Sequence, residues 1–136
     1  MTTAAIEAVR AELQAAAGDL RYMSEADHPF DAVAYPAATA DALTPERVAA
    51  LVGSTAAEVE EVPLDRFFAG MIEDADPADP VSQALVPRYR ALRDALRQRM
   101  ADVRVFRLGK VDMDCYILGT VPGGGIAGLH TKALET

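Results

Sequence analysis

An α/β (α+β) sandwich with a mixed sheet, in one domain spanning residues 1–136, is the fold class this sequence predicts, and three observations predict it. Apolar residues recur at helical spacing in one early and one late segment, the first two helices alternate with strand-like runs, and the last 34 residues alternate with a period near two. The chain is 136 residues long with 51% hydrophobic and 25% charged residues and a mean hydropathy of +0.06, which suits one buried core. That composition excludes a disordered or collagen-like chain.

Ile6, Val9, Leu13 and Ala17 recur every three or four residues among Glu7, Arg10, Glu12 and Gln14, so an amphipathic helix is expected over residues 3–17, stopped at Gly18. Residues 20–29 read as a connection, and Pro29 biases His28 away from helix. Phe30 to Tyr35 reads as a short strand closed by Pro36. Thr44 before Pro45 has the form of an N-cap followed by proline at the first helical position, predicting a helix over 45–52 that ends at Gly53. A strand over 57–62 follows, then a helical turn or two capped by Asp65 that turns Phe67, Phe68 and Met71 inward. Four acids and two prolines make residues 73–80 a loop.

Val81, Leu85, Tyr89, Leu92, Leu96 and Met100 give the clearest helical stripe, with Arg90, Arg93 and Arg97 on the opposite, solvated face. Pro87 predicts a kink there, or a helix that starts near it. Beyond it the pattern is antiparallel β: one strand bounded by Val103, Val105 and Gly109, a second over 111–120, a turn at Pro122-Gly123-Gly124-Gly125, and a third strand over 126–134.

The net charge is −8, but residues 1–82 hold 16 acidic and 4 basic side chains whereas residues 83–136 hold 5 and 9. Bare nucleic acid is a poor partner for such a chain, because its affinity comes from Lys and Arg neutralising phosphates. A negative N-terminal surface suits a basic partner, or serves only to keep the protein soluble. With one cysteine, Cys115, an internal disulfide is impossible. Glu7, Arg10 and Glu12 interrupt any apolar leader, no run approaches a membrane span, and the default location is the cytoplasm.

Enzyme signatures are few. Gly123, Gly125 and Gly128 fit G-x-G-x-x-G, yet only eight residues follow, leaving no room for the helix a dinucleotide site requires; the match is a hairpin turn. No nucleophile elbow, zinc-protease helix or P-loop lysine is present, and Cys115, set in a strand pattern, reads as an inert buried thiol. Glu25, Asp27, His28 and Asp31 lie close enough in sequence to suggest a metal or acid–base cluster, or simply a polar turn. An exposed carboxylate from such a loop can also take the place of a phosphate oxygen at another protein's Mg2+.

Across nearly the whole chain, Met23-Ser24-Glu25 with Pro29-Phe30, Phe67-Phe68, Phe106-Arg107-Leu108-Gly109 with Val111, Asp114, Tyr116 and Gly119, and finally Thr131-Lys132 and Glu135-Thr136 resemble the nuclease A inhibitor family. The most specific stretch is 105–136. The resemblance implies a three-layer α/β/α sandwich related to the PR-1 fold, no catalysis, no cofactor and no metal of its own. It also implies an inhibitor, monomeric when free, that occludes the Mg2+-dependent active site of a sugar-non-specific DNA/RNA endonuclease of the ββα-metal type. By position, Glu25 and Thr136 would reach toward the partner's metal. Asp27, Glu135, Asp74 and Asp76 would be further partner contacts, the acids of the 74–79 loop lying at the rim. The alternative is a binding module of the same fold for a different protein partner.

Overall fold

The structure is a computed structural model that describes residues 3–135. Helix α1 (Thr3–Ala17) occupies the span its apolar spacing predicts and buries Ile6, Leu13 and Ala17. Gly18 ends it in the left-handed region at φ 51°, its N–H returning 3.0 Å to the Gln14 carbonyl. Instead of a plain connection, the next ten residues form a small antiparallel hairpin, β1 (Arg21–Tyr22) with β2 (His28–Pro29). The extended bias that Pro29 imposes on His28 is the local reason.

Strands β3 (Asp31–Tyr35), β4 (Val59–Val62), β5 (Ala101–Leu108), β6 (Asp112–Thr120) and β7 (Ile126–Leu134) make one sheet in the order β3-β7-β6-β5-β4. Every pairing is antiparallel, which corrects the expected mixed sheet. Early helices and strands do alternate, but β3 and β4 are placed at opposite edges, and each pairs with a strand of the C-terminal meander rather than with the other. The class is therefore α+β.

Helix α2 is short (Val48–Val52) and begins after three turn residues. Thr44 offers its carbonyl, not its side chain, to the Arg47 and Val48 N–H groups at 3.2 and 2.9 Å, and its hydroxyl is left buried without a partner. Helix α3 (Leu64–Phe68) starts from Pro63, so Asp65 is not its cap; that carboxylate turns to Arg93 at 3.3 Å and Arg97 at 3.0 Å. Phe67, Phe68 and Met71 are buried as expected.

Helix α4 (Pro80–Arg99) runs unbroken through Pro87. It begins seven residues before that proline because Asp79 caps it, accepting from the Val81 N–H at 3.1 Å and the Ser82 hydroxyl at 2.7 Å, and because Pro80 fits the first turn, where no N–H is needed. The Pro87 ring sits on the exposed side, where its missing donor is least costly. The stripe from Tyr89 to Met100 is buried, but Val81 is 69% exposed and does not belong to it. The arginine face is not simply solvated either: Arg93 also holds Glu73 at 3.0 Å, and only 14% of its side chain is exposed.

Apolar side chains cluster on both faces of the sheet. On one, α1, α3 and α4 bring Leu13, Phe68, Leu92 and Leu96 against Val105, Cys115, Ile117 and Leu129. On the other, Leu43 and Val48 meet Phe106, Leu108, Leu118 and Ile126. The outer edge of β3 is closed by Gln14 of α1, whose amide accepts from the Ala32 N–H at 2.9 Å and donates to the Phe30 carbonyl at 3.0 Å.

Candidate functional site

The hairpin β1–β2 is too short to stand alone, since two pairs of residues make few ladder bonds. Packing and polar ties on both sides hold it. Tyr22 stacks on Phe67 with ring centroids 4.3 Å apart, and the Tyr89 hydroxyl donates to the Arg21 carbonyl. Toward β7, the buried Thr131 hydroxyl donates to the Pro29 carbonyl at 2.9 Å.

The turn of the hairpin, residues 23–27, meets the end of β7. The Ser24 hydroxyl donates to the Ala26 carbonyl at 2.8 Å and accepts from the Leu134 N–H at 3.0 Å, while the Glu25 N–H donates to the Leu134 carbonyl at 3.0 Å. Both backbone polar groups of Leu134 are thus taken by the two residues that carry and precede Glu25. The next residue is held as firmly: the Glu135 N–H donates to the Val111 carbonyl at 2.9 Å, and its carboxylate meets Arg107 of β5 at 2.6 Å. Glu25 itself is exposed on this fixed backbone.

Arg107 lies under this corner with 18% of its side chain exposed and its Nε buried without a partner. Burial pulls its pKa down, but the hydrogen bond and charge of Glu135 outweigh that and hold it above the usual arginine value. Burial likewise raises the Tyr22 phenol, helped by the nearby negative groups. Cys115, opposite Arg107 in the β5–β6 register, is pushed up to about 11 chiefly by burial, so it is a protonated core thiol at neutral pH, in line with its strand pattern. An open depression of about 550 Å3 beside Arg107 is edged by Glu58, Glu60, Lys110 and Glu135.

The other sequence candidates lie elsewhere. Asp27 is exposed on the far side of the hairpin turn, where it shares a depression with Asp79. Asp74 and Asp76 are exposed on the loop before α4, and the Asp76 carboxylate accepts from the Ala78 N–H at 2.9 Å, closing its own turn. Thr136 lies outside the described residues. Glu25, Asp27, His28 and Asp31 do not converge: among the described residues no group of three or more His, Cys, Asp or Glu side chains is placed to hold a metal ion. Ser24, Arg107 and Thr131 are the residues that a reading of the sequence gives no role. Each lies within a segment that carries the family resemblance, but a short-range pattern does not reveal bonds spanning 110 residues, as Ser24 to Leu134 does.

Carboxylates mounted on a hydrogen-bonded corner, beside a chain segment rich in acids, make a surface whose chemistry suits cationic groups and whose backbone needs little further ordering. A family model described as nuclease A inhibitor-like protein matches residues 7–136, and the chain belongs to that family. Among curated proteins none matches it. No helix among the described residues is long and apolar enough to cross a membrane.

Proposed function

We propose that this protein inhibits a sugar-non-specific DNA/RNA endonuclease of the ββα-metal type by seating the corner made of residues 23–27 and the chain end in the nuclease active site. The observation that carries this reading is the pair of hydrogen bonds between Ser24-Glu25 and Leu134, which ties the exposed Glu25 to the C-terminal strand in a chain of the nuclease A inhibitor-like family. Glu25 supplies a hard oxygen toward the nuclease Mg2+, directly or through water, and Thr136 adds its hydroxyl alongside. Glu135 contributes mainly by holding that segment through Arg107, and Asp27, Asp74 and Asp76 act at the rim, raising the association rate.

The inhibitor performs no catalysis of its own, works as a cytoplasmic monomer, and covers about 1,600 Å2 in total across both partners. Apolar clusters on both faces of the sheet support the three-layer, PR-1-like arrangement of this family. The test is a plasmid-degradation assay in which a ββα-metal nuclease, preferably from the same genome, is titrated with the wild type, with Glu25→Ala and with a Thr136 deletion. Stoichiometric inhibition that either change weakens is the expected result. A wild type that leaves such a nuclease fully active overturns the proposal and points to a different protein partner.

A further inference from the structure

Among the described residues three large apolar side chains are conspicuously exposed, Met23, Val81 and Val111, and two of them border one depression. Met23 is 38% and Val81 69% exposed. They come from segments 58 residues apart, the hairpin turn and the first turn of α4, and with Leu85 they give a hollow of about 400 Å3 an apolar floor. Nothing in the fold calls for Val81. The helix is already capped by Asp79 and Pro80, its buried stripe begins further along, and a β-branched residue is a weak choice for an exposed helical position. One exposed apolar residue is unremarkable, but two lining the same hollow fit a binding surface.

Three aspartates and two arginines edge the hollow, leaving it one net negative charge. Asp19, Asp27 and Asp79 line it against Arg21 and Arg88, and Arg88 is engaged by Asp19. Among the described residues no ion pair or hydrogen bond engages the Asp27 carboxylate, and the hydrogen bonds from Ser82 and the Val81 N–H keep Asp79 ionised well below neutral pH. The loop leading into Asp79 adds Asp74 and Asp76. We infer that this hollow receives a lysine or arginine side chain of the partner nuclease, its aliphatic stem lying on Met23, Val81 and Leu85 and its cation between Asp27 and Asp79. Long basic side chains combine an apolar stem with a charged head, and an enzyme that grips polyanions must border its groove with them. Met23 and Asp27 each lie two positions from Glu25, so a nuclease bound at the hairpin turn reaches the hollow without a second docking event.

This inference rests on the nuclease reading, and the experiment separates the two. Binding of an inactivated ββα-metal nuclease is measured by calorimetry at several salt concentrations for the wild type and for Glu25→Ala, Val81→Thr, Val81→Lys, Met23→Ala and Asp27→Asn. Thermal melts check that each variant folds. Val81→Thr keeps the shape of the side chain, so a folding defect in the other variants leaves the test intact. Expected are weaker binding by about tenfold for Val81→Lys, a smaller loss for Val81→Thr and Met23→Ala, and about a tenfold loss for Asp27→Asn with a shallower salt dependence. If Glu25→Ala weakens binding while the Val81, Met23 and Asp27 variants match the wild type, the hollow is not part of the interface and the inhibitor reading stands. Sensitivity at Val81 without sensitivity at Asp27 means an apolar occupant and overturns the assignment of a basic side chain. A wild type that binds no such nuclease overturns both. Light scattering that shows a dimer dissolved by Val81→Lys assigns the hollow to a second copy of the chain instead.

Discussion

The two faces of the sheet are covered very differently. Helices of 15 and 20 residues lie over one face, with Phe67 and Phe68 wedged beside them, whereas the other carries only the five-residue α2 and the turns around it. Elements of the first face secure the hairpin: α4 supplies the Tyr89 hydroxyl, α3 the Phe67 ring and β7 the Thr131 hydroxyl, while Arg107 of β5 holds the neighbouring Glu135. On the second face, α2 reaches one end of the strands only. The other end is left polar, with Asp31, Asp114, His130 and Lys132 in register and His130 bonded to Asp114 at 2.8 Å. The lesson is that the deep core here does more than stabilise; it holds the segment that projects from it.

The two faces are least independent where they share backbone. A Cβ on Gly128 would lie 1.7 Å from the Ile117 carbonyl oxygen across the β6–β7 pairing, so Gly128→Ala should cost about 4 kcal/mol, measured as the loss in urea-unfolding free energy, and should loosen both faces together. Core truncation then separates them. Leu92→Ala, at a fully buried site under α4, should cost about 3 kcal/mol, and Val48→Ala, equally buried under α2, about 1.5. Leu92→Ala should also speed amide exchange at Glu25 and Leu134, which Val48→Ala should leave unchanged.

Arg107→Gln sharpens the contrast on the hairpin side. It removes the ion pair to Glu135, and a loss of about 1 kcal/mol in stability is expected, together with faster exchange of the Glu135 amide and no change near α2. The smallest effect is electrostatic. The hydrogen bond and charge of Arg97, with Arg93 behind it, lower the Asp65 pKa, and Arg93 does the same for Glu73. Both carboxyls bind protons more weakly folded than unfolded, so their contribution is complete above the ordinary carboxylate range and is lost as pH falls through the lowered values. Urea midpoints should therefore decline below about pH 4.5, and Arg93→Gln should flatten that decline. Both carboxylates are more than half exposed, so the slope should be shallow.

Much of this fold is legible in the sequence. The spans of α1 and β7 follow from apolar spacing alone, and the glycine run at 123–125 marks the turn between β6 and β7. Local signals fail where distant residues decide. Two-residue strands such as β1 and β2 carry no periodicity and form because Thr131, Phe67 and Tyr89 hold them. Strand direction is likewise set by tertiary pairing, which is why alternating elements suggest a mixed sheet where the chain builds an antiparallel one. At the candidate site, Glu25 is marked by its place in a family segment, but Arg107 and Ser24 acquire their roles only when β5, β7 and the hairpin meet.

The amide of Gln14 on the rim of β3 has a consequence for how this protein behaves in a concentrated solution. An edge strand with open N–H and C=O groups is a template on which another chain can add itself, and here one side chain from α1 occupies both positions by imitating the backbone of a neighbouring strand. At that rim the sheet offers another molecule fewer open backbone groups on which to add a strand.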